Sequence, residues 1–372
     1  MRSALIVGTG LIGTSVALAL RAGGTATHLR DADPSAARTA EALGAGTTEA
    51  PRGRVDLAVL AVPPAQVAPV LRSLQQQGVA RFYTDVAGVK SLPHREARAL
   101  GCDLASVVGG HPLAGGERSG PLTARADLFE GRPWVLVPGG PAGTPALNCA
   151  LELVARCGAT PVLLDADAHD RAMALVSHAP HLVSSLVAAR LLDVDAAVLR
   201  LAGEGLRDLT RIADGSPALW SDVLAANAGP VASALYAIAA DVLEAADSLR
   251  ELDQDGGGEK VRLREESRLN TALQRGVDGR SVIPGRYGVP EAACPAVEVA
   301  VGDSPGELAR LLADVAAVGC NIEDLELEHS TDQQEGRVRV FVARERAYGL
   351  AAELRLRSWP VLGLPAAASR AS

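Results

Sequence analysis

The chain has 372 residues, which is enough for two or three domains with separate hydrophobic cores. Its formal charge of −8 argues against a nucleic-acid partner, and the lack of an uninterrupted apolar run of membrane-spanning length argues against a membrane partner. The five cysteines form no CxxC pair and the first residues carry no leader pattern. We therefore expect reduced thiols, no bound metal and a cytoplasmic location.

The clearest local pattern lies near the start of the chain. An apolar strand over Ser3–Val7 is followed by a glycine-rich turn, a helical run and a second strand that ends at Asp31. In the turn, Gly8 permits a tight bend, Gly10 admits a pyrophosphate and Gly13 lets the helix pack on the strand. The Asp31 carboxylate is placed to accept hydrogen bonds from an adenine ribose, and it would repel a 2′-phosphate. The pattern predicts a dinucleotide site that prefers NAD to NADP.

Strands and helices then alternate as far as residue 164. This alternation predicts an α/β Rossmann-type domain over residues 1–165, built on a doubly wound parallel sheet. Ligands bind such sheets at the carboxyl ends of the strands. We therefore expect the cofactor to contact the glycine turn and the ends of two further strands: Gly8, Thr9, Gly10, Leu11, Ile12, Gly13, Asp31, Val62 and Pro63.

Three titratable residues follow predicted strands at this edge. Asp85 and Lys90 flank a turn, and Lys90 is one of only two lysines in a chain that otherwise uses arginine. His111 lies in a predicted loop, Gly109–Gly120, where Pro112 keeps its backbone extended. An imidazole in such a place is suited to proton transfer near neutral pH. A helix cap, a surface lysine and a chance histidine in a turn explain the same residues without any chemistry.

Residues 166–275 lack strand patterns and form apolar helical runs. Pro180 lies inside one run and predicts a kink, and His178 and His181 share one helix face. Two structural histidines explain this pair equally well. The apolar neighbours of Arg211 predict a partly buried guanidinium that pairs with an acidic side chain or a substrate carboxylate. The extent of the apolar surface predicts a homodimer through this domain.

The end of the chain has a different rhythm. Residues 276–295 contain Gly, Pro and Arg without periodicity, which predicts a linker. Residues 296–366 alternate in the order βαββαβ, which predicts a small ferredoxin-like domain.

The order of these motifs resembles the prephenate dehydrogenase family of tyrosine biosynthesis over nearly the whole chain. Besides the glycine turn and Asp31, the resemblance rests on Thr84–Lys90, Gly110–Gly115, His169-Asp170, Ser177–His181, Arg207–Ala213 and Trp220. The tail is similar to an ACT regulatory domain in two segments, Asp303–Leu308 and Gly319–Ile322.

The resemblance implies NAD-dependent oxidative decarboxylation of prephenate to 4-hydroxyphenylpyruvate, with one proton acceptor for the ring hydroxyl. That acceptor would be His111, within a catalytic set of His111, Lys90 and Asp85. The helical domain would bind the substrate through Ser177, His178, His181, Arg211 and Trp220, although Trp220 by itself is typical of a core residue. Tyrosine would exert feedback control through the ACT-like domain, at Asp303, Gly306, Asn321 and Ile322.

One departure from the family keeps alternatives open. The family often has a serine that helps to hold the catalytic histidine where this chain has Gly88, and Ser91 or a water could replace it. Arogenate and a 4-amino analogue carry the same two carboxylates as prephenate, so either could be the substrate. A non-catalytic protein that senses NAD and an amino acid is an alternative of another class. A hydroxyacid dehydrogenase would need a lysine in the helical domain, where only Lys260 is present.

Overall fold

The computed structural model of the 372-residue chain describes residues 1–114, 120–139, 143–253, 258–283, 295–329 and 335–363. Parts of three predicted segments lie outside these ranges: 115–119 of the loop, 284–294 of the linker and 364–366 of the tail domain. The chain forms two compact units, Met1–Ala240 and Asp241–Ser372.

A seven-stranded sheet forms the centre of the first unit. Its strands are β1 (Ser3–Val7), β2 (Ala26–Arg30), β3 (Val55–Leu60), β4 (Ala80–Asp85), β5 (Val107–Pro112), β6 (Pro133–Pro138) and β7 (Thr160–Leu163). The helices among them are α1 (Leu11–Ala22), α2 (Pro34–Ala42), α3 (Pro64–Gln76), α4 (Ser91–Ala99) and α5 (Thr144–Arg156). Alternate residues of β1 are buried in two different apolar clusters, so both faces of the sheet are covered. The predicted alternation of strands and helices is confirmed.

The sheet order is β2-β1-β3-β4-β5-β6-β7, and neighbouring strands are parallel except for β5 and β6. The prediction of an entirely parallel sheet is therefore wrong at this pair. A parallel neighbour needs a long crossover, whereas the described residues between β5 and β6 contain no helix longer than a 3₁₀ turn at Pro121–Thr123. Because β1 has β2 on one side and β3 on the other, the carboxyl ends of β1 and β3 form the crevice.

Strand β5 extends into the segment that was predicted as a loop. Gly109 and Gly110 lie within the strand, and His111 pairs with Val135 of β6. A Cβ on Gly110 would lie 2.5 Å from the carbonyl oxygen of Asp85, so glycine permits close packing here and makes no turn. The loop prediction is wrong for residues 109–112. His111 still lies at the carboxyl edge of the sheet, because β5 runs parallel to β4.

The chain after β7 is helical, as predicted. Helix α6 (Ala166–Met173) is joined to α7 (Ala179–Ala189) by a π-helical turn over Ala174–His178. The π-helical turn lies directly before Pro180, which has no N–H to donate to the carbonyl of Val176, so the helix is irregular where the proline predicts a kink. The helices that follow are α8 (Ala196–Leu199), α9 (Glu204–Thr210), α10 (Pro217–Ala226) and α11 (Ala228–Asp253).

Two helical segments, Ala166–Ala189 and Ala228–Asp253, are long and apolar enough to resemble membrane spans, contrary to the expectation from sequence. The first is interrupted by the π-helical turn and contains the buried side chains of His169 and His178. The second exposes large apolar side chains, such as Tyr236 at 78%. A buried core helix passes the same test of length and composition, and an exposed apolar face of this kind also suits contact with a second chain.

The second unit begins within α11 and continues with α12 (Glu259–Ser281). The Gln274 side chain donates to Asp278 at 2.9 Å across one helical turn, and a helix tolerates Gly276 and Gly279 at about 1 kcal/mol each. The predicted linker is therefore wrong for residues 276–281, which are helical.

A four-stranded sheet completes the second unit. Its elements are β8 (Ala296–Gly302), α13 (Glu307–Ala317), β9 (Asp324–His329), β10 (Glu335–Phe341), α14 (Arg344–Leu356) and β11 (Val361–Gly363). The sheet order is β11-β8-β10-β9 and all pairs are antiparallel. Apolar residues of β8, β10, α13 and α14 are buried together in one core. The predicted βαββαβ order is confirmed.

Candidate functional site

Close contacts shape the glycine turn between β1 and α1. Gly8 has a φ of 96°, and a Cβ on it would lie 2.1 Å from the carbonyl oxygen of Ala61. A Cβ on Gly13 would lie 1.9 Å from the carbonyl oxygen of Gly8. A Cβ on Gly10 would meet no described atom within 4 Å. The fold therefore requires Gly8 and Gly13, whereas Gly10 leaves open space at the start of α1, where a phosphate can approach.

Asp31 directly follows β2 and is held by the same turn. Its Oδ2 accepts hydrogen bonds from the Thr9 backbone N–H at 2.5 Å and from the Thr9 hydroxyl at 2.8 Å. Its Oδ1 accepts one from the backbone N–H of Asp33 at 2.9 Å. A carboxylate has about four lone-pair sites, so Asp31 can still accept a hydrogen bond from a ligand hydroxyl.

The remaining residues of the predicted cofactor site surround the same crevice. Leu11 and Ile12 begin α1, whose first residue is preceded by Gly10 without any side-chain cap. Val62 and Pro63 join β3 to α3 on the opposite side. Helix N–H groups for a pyrophosphate, open space at Gly10 and a carboxylate at the end of β2 together fit a dinucleotide.

His111 belongs to a buried chain of hydrogen bonds that joins the sheet to α6. Its Nδ1 lies 2.9 Å from Nε2 of His169, and Nδ1 of His169 lies 2.8 Å from Oδ1 of Asp170. His169 and Asp170 are 0% and 2% exposed. Burial, and next the charge of Lys90, lower the pKa of His111 well below 6.5, so its imidazole is neutral near neutral pH.

Asp170 is the last member of this series of hydrogen bonds, and several groups donate to its carboxylate. Its carboxylate accepts hydrogen bonds from the backbone N–H groups of Lys90 and Ser91, each at 2.8 Å. Burial by itself would raise the pKa of Asp170, but the hydrogen bonds from His169, Ser91 and Lys90 outweigh it and hold the pKa below its usual value. Asp170 is therefore an ionised hydrogen-bond acceptor.

Lys90 is buried, which excludes the interpretation as a surface lysine. Its Nζ contacts Oδ1 of Asp85 and donates to the carbonyl oxygen of Gly110 at 2.5 Å. Burial lowers the pKa of Lys90, although the charge of Asp85 opposes the shift. The ion pair with Asp85 thus fixes the end of β4 to β5 directly before His111.

The helical residues predicted to bind substrate form a second group. Nδ1 of His178 lies 3.0 Å from Nδ2 of Asn227, and the rings of His181 and Trp220 stack with centroids 3.6 Å apart. The His178 ring lies edge-on to Trp220, with ring centroids 6.2 Å apart. Both histidines therefore contact Trp220 from the same face of their helix, as predicted. Ser177 is half-buried in the π-helical turn.

Arg211 differs from its prediction. It lies in a 3₁₀ turn after α9 and is exposed, with no hydrogen bond or ion pair to any residue that the structure describes. The expected partial burial is wrong because the apolar neighbours Leu209 and Ile212 are themselves 49% and 40% exposed. The guanidinium is consequently available to an external anion.

Gly88 lies directly beside the imidazole of His111. A Cβ at this position would be 3.6 Å from Nε2 of His111, an ordinary van der Waals distance. Ser91 does not replace the missing side chain, because its hydroxyl donates to Asp167 at 2.9 Å. Nε2 of His111 therefore faces the space that Gly88 leaves open.

Sequence reasoning missed three buried residues that connect the two groups: His169, Asp170 and Asn227. His169 at a helix start is typical of a structural histidine, and the resemblance includes the His169-Asp170 pair without giving it a role. Asn227 donates to the backbone carbonyl of Asp170 at 2.8 Å as well as approaching His178. An adjacent His-Asp pair at a helix start was the only signal, and nothing local marks Asn227, which resembles a helix end before Gly229.

The predicted effector residues lie in the second unit at the two ends of α13. Asp303 and Gly306 precede this helix, and Asn321 and Ile322 follow it. The helix has 11 residues, which span about 16 Å. Asn321 donates to Glu323 at 3.0 Å, and Ile322 packs on the core. The four residues do not form one small pocket within a single chain.

Comparisons with known proteins agree with this geometry. Residues 16–163 match the profile described as prephenate dehydrogenase, nucleotide-binding domain, and residues 165–263 match prephenate dehydrogenase, dimerization domain. The chain is 50% identical over 362 residues to a probable prephenate dehydrogenase, NovF, of Streptomyces niveus, covering 97% of this chain and 99% of that protein.

Solved structures give the same result. Prephenate dehydrogenase from Aquifex aeolicus is 25% identical, with a TM-score of 0.65, and covers 76% of this chain and 100% of its own. Synechocystis arogenate dehydrogenase is 25% identical, with a TM-score of 0.59, and covers 75% of this chain and 99% of its own. The chain therefore belongs to the prephenate dehydrogenase family of oxidoreductases, with the nucleotide-binding domain of that family followed by its dimerization domain.

Proposed function

We propose that the protein catalyses the NAD-dependent oxidative decarboxylation of prephenate to 4-hydroxyphenylpyruvate, with His111 as the proton acceptor. The observation that carries the proposal is the position of this imidazole. It lies at the carboxyl edge of the sheet, is neutral, and has Nδ1 bonded to His169 while Nε2 faces open space beside Gly88. A general base needs this combination of deprotonation and access.

The chemistry divides between cofactor and protein. When NAD is bound at the glycine turn, its nicotinamide supplies the hydride acceptor for the ring carbon that bears the hydroxyl. Nε2 of His111 takes the hydroxyl proton, so the electron pair of the O–H bond stays on oxygen and forms the C=O bond. The bond from the ring to its carboxylate then breaks, CO₂ departs, and its electron pair completes the aromatic ring, after which the oxygen is reprotonated as a phenol.

Other residues of the chain position the reacting groups. Lys90 and Asp85 hold β5 so that His111 stays in place. The guanidinium of Arg211, which pairs with none of the described residues, is suited to a substrate carboxylate, which it can bind through two parallel hydrogen bonds. His178, His181 and Trp220 would contact the side chain of the substrate. These roles rest on the geometry of the described residues and on the family resemblance.

The preference for NAD rests on Asp31. Its carboxylate has acceptor capacity left for a ribose hydroxyl, and its negative charge would repel the 2′-phosphate of NADP. The dinucleotide fits the crevice because Gly10 leaves room beside the start of α1.

We further propose a cytoplasmic homodimer formed through the helical region. The matched dimerization domain supports this assembly, as do the large apolar side chains that α11 exposes, including Leu243 at 64%. Light scattering after gel filtration should give twice the mass of one 38.2 kDa chain. A monomer at micromolar concentration would refute the assembly.

The βαββαβ domain is proposed to act as an ACT-like regulatory domain with tyrosine as its effector. Its topology supports this, and the candidate residues at opposite ends of α13 would need a second chain to form a single site. Adding tyrosine to the assay should lower the rate, and Asn321→Ala should weaken that effect. A rate independent of tyrosine would remove this part of the proposal.

A substrate panel tests the catalytic proposal. Purified protein is mixed with NAD⁺ or NADP⁺ and with prephenate, arogenate or the 4-amino analogue, and reduced cofactor is followed by absorbance. We expect turnover with prephenate and NAD⁺. Faster turnover with either of the other substrates would reassign the substrate within the same chemistry. No turnover with any of them would contradict the enzymatic role and favour a sensor.

A further inference from the structure

We infer that Asp170 is a positioning residue that sets opposite hydrogen-bonding states in the two histidines of the site, making Nε2 of His111 an acceptor and Nε2 of His178 a donor. The inference rests on the proposed function and deepens it. Its basis is the pattern of donors and acceptors around Asp170, His169 and Asn227.

The first half of the pattern runs through the side chain of Asp170. Backbone N–H groups of Lys90 and Ser91 can only donate, and the ionised carboxylate can only accept. The nitrogen of His169 that lies 2.8 Å from this carboxylate, Nδ1, must therefore carry a hydrogen. His169 is 0% exposed, so a ring with a single N–H is assigned to it, and its Nε2 is then a bare lone pair.

That lone pair determines the tautomer of His111. Nε2 of His169 and Nδ1 of His111 are 2.9 Å apart and share one hydrogen bond. Because Nε2 of His169 has no hydrogen, Nδ1 of His111 must be the donor. A neutral imidazole carries a single N–H, so Nε2 of His111 has none. The acceptor nitrogen thereby faces the space beside Gly88, where a substrate hydroxyl would lie.

The second half of the pattern runs through the backbone of Asp170. Its carbonyl oxygen accepts a hydrogen bond at 2.8 Å from Asn227, which identifies that amide atom as the nitrogen Nδ2. The same NH₂ group lies 3.0 Å from Nδ1 of His178, which must accept its second hydrogen. Nε2 of neutral His178 consequently carries the N–H and is a donor.

The consequence is a site with one acceptor and one donor at fixed places. Burial lowers the pKa of both His111 and His178, so both rings remain neutral and the assignment holds near neutral pH. After His111 takes a proton, the Asp170 carboxylate stabilises the resulting positive charge through His169. This arrangement of an acid that orients a base follows the general logic of catalytic triads.

Nitrogen NMR of protein labelled with ¹⁵N-histidine tests the assignment without substrate or turnover. In the ligand-free wild-type protein, His111 should show a protonated Nδ1 and a bare Nε2, and His178 the reverse. Signals are assigned by their loss in His111→Asn and His178→Asn. A protonated Nε2 on His111 in the wild type would overturn the inference, even if the enzyme turns over prephenate.

The variant Asp170→Ala adds a functional readout. It removes the acceptor for Nδ1–H of His169, so the hydrogens of His169 and His111 are no longer held in one tautomer. His111 should then show hydrogen on Nε2 as well as on Nδ1, and kcat should fall by about 10²- to 10⁴-fold with little change in NADH affinity. The matched control is Asp167→Ala, one turn earlier on α6, whose carboxylate contacts Ser91 and not His169. The control should keep the wild-type NMR pattern.

The variant Asn227→Leu separates the two halves. It should release the tautomer of His178 and leave that of His111 unchanged. A change at His111 in this variant, or an unchanged His111 in folded Asp170→Ala, would contradict the proposed connections. If Asp170→Ala fails to fold, the wild-type spectrum and Asn227→Leu still decide the question. A failed assay with a confirmed NMR pattern would refute the proposed function alone.

Discussion

The nucleotide crevice and the histidine cluster (His111, His169, Asp170, His178 and Asn227) lie at one edge of the same sheet. The crevice is formed mainly by backbone, whereas the cluster is formed by side chains. The crevice depends on missing side chains: a Cβ on Gly8 or Gly13 would lie 2.1 Å or 1.9 Å from a carbonyl oxygen. The cluster depends on buried polar side chains whose hydrogen bonds join β5 to α6 and α10–α11. A backbone site tolerates few added atoms, whereas a network of side chains tolerates few changes in charge or hydrogen position.

The largest expected effect is a loss of catalysis, caused by a substitution in the histidine cluster that leaves the nucleotide crevice intact. His111→Asn removes the proton acceptor, so kcat with prephenate should fall by about 10²- to 10⁴-fold, while the Kd of NADH, measured by fluorescence, stays within twofold of the wild type (about 0.4 kcal/mol). The same substitution at His28, which lies in β2 and bonds the carbonyl of Glu49, serves as the control. Full activity of His111→Asn would contradict the role of this residue.

The next effect concerns the polar part of the crevice. Asp31→Asn keeps the size of the side chain but removes the charge that favours ribose and repels a 2′-phosphate. A hydrogen bond to a charged group contributes about 1.5–3 kcal/mol, so the preference for NAD⁺ over NADP⁺ in kcat/KM should fall by roughly 10- to 100-fold. An unchanged preference would show that another residue selects the cofactor.

A third pair of variants separates the two kinds of glycine in the crevice. Gly13→Ala should destabilise the fold by about 1–3 kcal/mol, because the added methyl meets the backbone of Gly8. Gly10→Ala meets no described atom within 4 Å and should leave the urea midpoint unchanged while it weakens NADH binding. Equal effects of the two substitutions on stability would disprove the distinction.

The smallest effect comes from adding an atom to the cluster. Gly88→Ser should fit without loss of stability, since its Cβ would be 3.6 Å from Nε2 of His111. One hydrogen bond contributes about 0.5–1.5 kcal/mol, so kcat should change by no more than about tenfold. Gly88→Ala controls for bulk without the hydroxyl. A much larger loss that both variants share would mean that the space beside Gly88 cannot hold an added side chain and the substrate hydroxyl together.

The same contrast explains which parts of the molecule could be predicted from sequence. The glycine turn and Asp31 are local, and their spacing alone defined the crevice. The βαββαβ order was likewise readable because each element has its own periodicity. The antiparallel β5–β6 pair was missed because a buried strand looks the same in either direction, and the glycines of β5 suggested a loop where they serve close packing.

The cluster was harder to predict because its contacts join distant positions. His169 and Asp170 meet Lys90 and His111 across 58 to 80 residues of sequence. Asn227 reaches His178 across 49 residues. No spacing rule links such residues. The position of His111 after a predicted strand made it a candidate, and the resemblance to a known family implied its role. The prediction that Arg211 is partly buried was wrong for a different reason. Apolar neighbours in sequence lead to burial only when another part of the protein covers the surface that they form.

The pH dependence of kcat/KM with prephenate tests the role of His111 most directly, because this parameter reports the protonation of the free enzyme. His111 must be neutral to accept a proton, and burial lowers its pKa well below 6.5. We therefore expect kcat/KM to stay level as the pH falls from neutral to 6.5 and to decline only at lower pH, as His111 becomes protonated. A decline centred at or above pH 6.5, or the same acid decline in His111→Asn, would contradict the assignment of His111 as the buried, neutral base.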